Sequence, residues 1–227
     1  MGAATLGDFS DILALAASRH EGEAAVLASL PEGKSDAELS QLPDSVWLEA
    51  MAKVIMRTGF SWKVVDNKWP GFEAAFVGFD PNRVAMFSDE DFDRLLSDTA
   101  IIRNGQKLRA ICDNAIMITD LQRSHGSASA FFATWPHGDF TGLWAFLKKR
   151  GSRLGGNTGP YMLREVSWDT PVMSKDVVKA LIREGVIEKA PTSQKALKAV
   201  QDAFNEWRLE NGLTYAQMSR ILALSVG

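Results

Sequence analysis

The sequence predicts an all-α fold made of two helical lobes. Three observations point there. Apolar residues recur at helical spacing through most of the 227 residues, helix-capping residues stand in front of those stretches, and alternating strand patterns bounded by hairpin turns are missing. About ten short helices joined by short loops fit this pattern.

The elements follow in chain order. Ser35 with Glu38 three residues on reads as a capping box. Asp44 or Ser45 starts a helix that carries Trp47, Leu48, Met51, Val54 and Ile55 on one stripe, and Gly59 stops it. Asp80-Pro81 is an N-cap with proline at the first helical position. Ser88 caps SDEDFDRLLSD, whose first-turn acids suit the positive end of a helix dipole. Residues 105–121 place Leu108, Ile111, Cys112, Ala115 and Ile116 on one side, and residues 139–149 form a further helix broken at Gly151. Ser174 caps KDVVKALIRE, which Gly185 ends; Thr192 or Ser193 opens a longer helix to about Glu210, and the last helix follows Thr214. One lobe is expected near residues 43–135, the other from the N-terminal segment together with 136–227, with no repeat or low-complexity linker between them.

Composition excludes several classes. The chain is long enough to bury a core without disulfides or structural metals. Cys112 stands alone, so neither a disulfide framework nor a thiol-rich zinc site can be built, and His20, His125 and His137 are far apart in sequence. No apolar run approaches the ~18 residues of a membrane span. The N-terminal segment lacks Lys and Arg and carries acid, and Leu6 stands where a myristoylation signal needs Ser or Thr, so a soluble cytoplasmic protein is expected. The net charge of -3 means that a nucleic-acid surface, if there is one, must be local.

Residues 147–165, LKKRGSRLGGNTGPYMLRE, are such a local signal. Lys148, Lys149, Arg150, Arg153 and Arg164 stand against the one acid Glu165. A helix ends at Gly151, a Gly155-Gly156 turn follows, and Asn157 or Thr158 caps a new helix, which gives helix, hairpin and helix. The free amides of the second helix form an anion site that one DNA phosphate fits, flanked by Lys and Arg. Gly151 to Thr158 also lies near a P-loop, but Asn157 replaces its lysine and no strand precedes it; a helix corner with a solvated basic face is the plainer alternative.

Two more segments bear on function. TGFSWKVVDNKWPGFEAAF, residues 58–76, gathers Phe60, Trp62, Trp69, Phe72 and Phe76 beside the Gly59 turn. A core explains most of them, but Phe60 and Trp62 cannot easily both face it, so one is a candidate wedge or base-stacking platform. In DTPVMSKDVVKAL, Asp176 begins a helix about twenty residues after the hairpin, where an acid serving the helix dipole is the bland alternative to a catalytic carboxylate.

Together these residues resemble the helix-hairpin-helix DNA glycosylases, and within them the 3-methyladenine DNA glycosylase I family, over about residues 55–185. GFSW at 59–62 resembles that family's Gly-Leu-Ser-Trp loop. FDPNRVAMFSDEDFDRLLSDTAIIRNGQKLRAICDNA at 79–115 resembles its Phe-Asp-Pro and Ile-Ile-Arg stretch, Lys107 included, and LKKRGSRLGG its Lys-Lys-Arg-Gly hairpin. The resemblance implies a two-lobed helix-hairpin-helix glycosylase-like fold whose partner is double-stranded DNA carrying alkylated bases, with a monomer expected. A buried glycosidic bond requires base flipping. On this reading Gly59 and Phe60 form the wedge, and Trp62 with Trp69 makes the base pocket, where an indole face attracts a cationic base. Lys148, Lys149, Arg150, Arg153, Gly155, Gly156, Asn157 and Thr158 grip phosphate.

The chain departs from the family at two places. Val54 holds the position of the family's pocket glutamate, and Val177 and Leu181 stand where the late zinc ligands fall, so no zinc is expected, although His20 matches the early histidine. No cofactor is implied beyond a monovalent cation on the hairpin carbonyls near 151–156. Asp176 matches the wider superfamily's catalytic aspartate, and Glu49, Asp66 and Glu73 are the other acids near the aromatic loop. Lys175 beside Asp176 would allow a Schiff-base route, though lyases of this superfamily carry their lysine in the hairpin. The expected activity is hydrolysis of the N-glycosidic bond of alkylated purines. The alternative is a catalytically inactive DNA-binding or damage-sensing protein on the same scaffold.

Overall fold

In a computed structural model, residues 6–226 are described, and among them no strand occurs. Their helices are α1 (Phe9–Arg19), α2 (Glu23–Ala28), α3 (Asp36–Ser40), α4 (Asp44–Arg57), α5 (Trp62–Asn67), α6 (Trp69–Ala75), α7 (Pro81–Val84), α8 (Asp89–Ser97), α9 (Gly105–His125), α10 (Ala128–Ala133), α11 (Phe140–Arg150), α12 (Thr158–Glu165), α13 (Lys175–Arg183), α14 (Gln194–Asn211) and α15 (Tyr215–Leu224). Short 3-10 turns lie at Val77–Phe79 and His137–Asp139. The expected all-α class is observed. The helices outnumber the sequence expectation because α2, α5, α6, α7 and α10 run four to seven residues. At 3.6 residues per turn, such elements show no readable period.

Local caps fix many boundaries. Ser35 with Glu38, Ser88 with Asp91 and Thr214 with Gln217 are complete capping boxes, while Asp80, Ser174 and Ser193 cap α7, α13 and α14. Asp44 starts α4 as expected, and its side chain has a second use. Pro43 holds the N-cap position of α4, and the Asp44 carboxylate accepts from the backbone N–H groups of Ala128 and Ser129 at 3.1 Å each. It also accepts from Gln122 Nε2 at 2.9 Å, so it serves the start of α10.

The chain forms two compact units. The first comprises the chain up to Gly33, Pro136–Gly142 and Asp169–Gly227. Its core pairs α1 with α2 and α15, and α13 with α15, around Phe9, Phe140, Phe204, Trp207 and Tyr215. Arg208 and the N–H of Ala216 both bond the buried Asp169 carboxylate, which fixes the segment leading to α13. The second unit comprises Lys34–Trp135 and Leu143–Trp168, and so contains the glycine hairpin together with residues 43–135. The hairpin, expected with the chain termini, thus lies with residues 43–135.

The second unit is built around α9, which packs on α4, α7 and α10. Trp47 of α4 stacks on Phe132 at 4.3 Å and donates to Ser129 Oγ at 2.7 Å. Trp69, Phe72, Phe76, Phe79 and Phe87 form a continuous stack beside it. One residue of the predicted α9 stripe is misplaced. Ile116 is 48% exposed, and the inward position is taken by the fully buried Asn114.

Candidate active site

The end of α4 builds one wall of a cleft. Thr58 caps the helix through its N–H to Val54 O, and Gly59 turns the chain away with φ +75°. That left-handed conformation favours glycine, and a Cβ there would meet nothing, so the position is demanded by the backbone and not by space. The turn leaves Phe60 39% and Trp62 57% exposed, so both aromatics of the loop face outward, which is unusual for residues of this size.

Lys107 of α9 secures this turn from behind. Its Nζ donates to Met56 O at 3.1 Å and to Thr58 O, two carbonyls that the end of α4 leaves without helical partners. The same ammonium lies 4.6 Å from the Phe60 ring centroid. Burial, followed by the nearby Arg153 charge, holds the Lys107 pKa below that of an ordinary lysine.

The opposite wall is α12 with the hairpin that precedes it. Gly156 takes φ +62°, and Gly159 lies so close to the preceding loop that a Cβ would come 2.8 Å from Leu154 O. Asn114 clamps the start of this hairpin: its Oδ1 accepts from Ser152 N at 2.7 Å, and its Nδ2 donates to Ser152 O at 3.0 Å. Asn114 and Lys107 carry structural jobs at the site that the sequence reading did not assign. The signal available was a polar or charged residue on or beside the apolar stripe of α9.

Between the walls lies a cleft of about 260 Å³, lined on α4 by Val54, Arg57 and Thr58, on α5 by Trp62, and on the other side by Asn157, Thr158, Tyr161 and Glu165. Its charges are paired. Arg57 donates to Glu165 at 3.1 Å and to Asp66 at 2.8 Å, and Lys53 reaches the other Glu165 oxygen at 3.1 Å. The Arg57 guanidinium lies 4.8 Å from the Trp62 ring centroid, so it occupies a face of the indole. The Arg57 Nε is buried with no hydrogen-bond partner.

The residues singled out in the sequence fall into groups. Trp62, Asn157 and Thr158 meet at the cleft, with Gly59 and Phe60 on the adjoining loop. Trp69 does not line it: it is buried, stacked on Phe72 and Phe79, and donates to Glu49 Oε1 at 2.8 Å. It is therefore a core tryptophan with one satisfied polar atom. Lys148 and Lys149 are exposed at the end of α11, whereas Arg150 contacts Asp120 at 3.5 Å and Arg153 donates to Gln106. Of the other nearby acids, Asp66 is bound to Arg57 and Glu73 is exposed.

Asp176 belongs to the first unit, in the first turn of α13 behind the Ser174 cap, where it contacts Lys179 at 3.2 Å with its side chain half exposed. Val177 and Leu181 are core residues of the same helix, and His20 Nε2 contacts Leu224 O at 3.2 Å. Among the described residues no group of three His, Cys, Asp or Glu side chains has the arrangement of a metal site, and no helix is long and apolar enough to cross a membrane.

A family model described as methyladenine glycosylase matches residues 41–192. DNA-3-methyladenine glycosylase 1 of Escherichia coli is 42% identical over 59 residues, which is 26% of this chain and 32% of that enzyme, so the match spans about a third of that relative. The DNA-3-methyladenine glycosylase of Haemophilus influenzae is 26% identical over 178 residues, covering 77% of this chain and 85% of its own. In fold, a 3-methyladenine DNA glycosylase I from Staphylococcus aureus aligns with TM-score 0.50 at 21% identity over 64% of this chain and 85% of its own. An H. pylori 3-methyladenine DNA glycosylase bound to 1,N6-ethenoadenine aligns with TM-score 0.53 at 16% identity over 97% and 95%. At these identities the two structures bear on the fold alone.

Proposed function

The chain belongs to the methyladenine glycosylase family, and on that premise we propose that it acts in base-excision repair as a DNA-3-methyladenine glycosylase. The observation that carries this reading furthest is the cleft at Trp62: an exposed indole on a loop that also exposes Phe60, across from Asn157 and Thr158 at the end of the glycine hairpin. The substrate is duplex DNA with an N3-alkylated adenine, whose purine ring is cationic while still attached to the sugar. Lys148 and Lys149 hold phosphate together with the backbone amides at the start of α12, and these contacts position the duplex without reading sequence. Phe60 fills the gap left when the damaged nucleotide swings out, offsetting an unstacking cost of a few kcal/mol. Trp62 receives the extruded base.

The chemistry asks little of the protein. The C1′–N9 bond breaks with its electron pair going to the purine, so the cationic base leaves neutral and positive charge develops on the sugar. Water then adds to C1′ and gives up a proton. A carboxylate near C1′ would stabilise that charge and take the proton, and Asp176 is proposed for this role on its place in the sequence alone, at a helix start about twenty residues after the hairpin. Its contact with Lys179 is a surface pair of the kind worth about 0–1 kcal/mol, so it does not commit the carboxylate elsewhere.

The test is release of free base. Methylated duplex incubated with the protein yields free 3-methyladenine by chromatography, and Asp176→Asn lowers the rate about 100-fold while leaving DNA affinity unchanged. No release from the wild-type protein, with a salt-dependent gel shift retained, would establish the non-catalytic DNA-binding alternative, which the apolar Val54 in the cleft favours. Full activity in Asp176→Asn would return that residue to the helix dipole.

A further inference from the structure

We propose that Glu165 on α12 is the specificity-determining carboxylate of the base pocket, balancing the positive charge of an alkylated purine there. The inference rests on the Trp62 cleft being the base pocket. A cationic base needs a nearby anion, because a site with surplus positive charge repels it and a neutral apolar site leaves it desolvated and uncompensated. Val54 contributes no charge, and Glu165 is the one carboxylate among the residues lining the cleft.

The local charge count explains why it matters. Arg57 and Lys53 are the cations, Glu165 and Asp66 the anions, and all four are joined in one chain of contacts. The set is neutral as it stands, and removing the Glu165 charge leaves it at +1. Each carboxylate oxygen of Glu165 has one cationic partner, so each retains a lone pair for the base. Arg57 meanwhile covers a face of Trp62 while its Nε lacks a partner, so its stacked position is incompletely satisfied. A base entering the cleft can therefore displace the guanidinium from the indole face. Glu165 and Asp66 keep it paired as it moves.

The experiment measures binding, so that it does not depend on turnover. Duplexes carry either a 2′-fluorinated 3-methyladenine nucleotide, which is cationic and resists cleavage, or the corresponding unmethylated and neutral 2′-fluoro nucleotide. The readout is the ratio of the two affinities. Glu165→Gln is expected to lower this ratio about fivefold, the upper scale of losing one charge interaction in a partly exposed site. Glu165→Asp should retain the ratio. Adding Arg57→Gln to Glu165→Gln returns the set to neutrality and should recover most of the loss, which a mere tether between α4 and α12 would not do. If Glu165→Gln does not fold, Arg57→Gln alone leaves the set at -1 and should raise the ratio.

An unchanged ratio in Glu165→Gln, an equal loss on both duplexes, or a fall in Arg57→Gln would overturn the proposal. Wild-type protein that discriminates through Glu165 yet releases no 3-methyladenine would remove the enzymatic reading and leave the charge matching standing. Release that proceeds with no effect of Glu165 on the ratio would do the reverse.

Discussion

Replacing Lys107 by methionine keeps the length and most of the apolar stem of the side chain but removes its ammonium group. That group now serves two carbonyls at the end of α4, Met56 O and Thr58 O, from a position that is 6% exposed. Hydrogen bonds to a charged partner contribute about 1.5–3 kcal/mol each, and a buried carbonyl left bare costs a similar amount. The ammonium's own desolvation, which already depresses its pKa, is recovered in the variant and offsets part of this. The net loss is about 2 kcal/mol, or roughly 4–8 °C in Tm for a chain of this size.

The pH dependence is the sharper readout. Folding lowers the pKa of Lys107, so between that lowered value and ~10.5 the unfolded chain binds more protons than the native one. Stability contributed by this group therefore rises as pH increases through that window. Cys112 and Tyr215, whose pKa values burial raises, contribute the opposite sign in both proteins, so urea midpoints measured from pH 8 to 10.5 should change more positively with pH in the wild type than in Lys107→Met. Base release should also fall in the variant, because the anchored turn carries Gly59 and Phe60. Unchanged midpoints with the alkaline slope intact would refute the claim that this ammonium holds the end of α4.

Three further outcomes follow from the same structure. Replacing both Lys148 and Lys149 by Ala weakens binding to all duplexes alike and lowers the slope of log affinity against log salt by about 1–2, as read by titration at several salt concentrations; an unchanged slope would detach the hairpin from DNA. Gly59→Ala places a Cβ in open space but at φ +75°, so it should cost about 1–2 kcal/mol in unfolding experiments without disturbing the packing of the core. Burial raises the Cys112 thiol to about 11, so at pH 8 a thiol reagent should label it only once urea unfolds the chain, and rapid labelling of native protein would contradict its burial.

The fold class was legible because caps and helical periods are local properties. The Ser35, Ser88 and Thr214 boxes and the stripe on α4 need nothing beyond neighbouring residues to be recognised. Short helices such as α5, α6 and α10 escaped because six or seven residues span less than two turns, too few for a helical period to be read. The Asp44 carboxylate shows the same limit at a single residue. From sequence it starts α4, as it does in the fold, but the backbone partners of its carboxylate lie 84 and 85 positions away and have no local signal.

The candidate site divides along the same line. That Phe60 and Trp62 could not both turn inward followed from their spacing beside Gly59, and both are exposed. That Trp69, with the same side chain seven positions on, belongs to the core depended on Phe72, Phe79 and the Glu49 acceptor, and no local pattern distinguishes the two tryptophans. Glu165 is the strongest instance. In sequence it is the single acid of a basic stretch and reads as a surface charge. Only the approach of α12 to α4 brings it to Lys53 and Arg57, 112 and 108 positions earlier, and turns it into the carboxylate of a cleft that Val54 also lines. Charge matching in this pocket is therefore a property of two helices together. A change at Arg57 alters what Glu165 can bind as surely as a change at Glu165 itself.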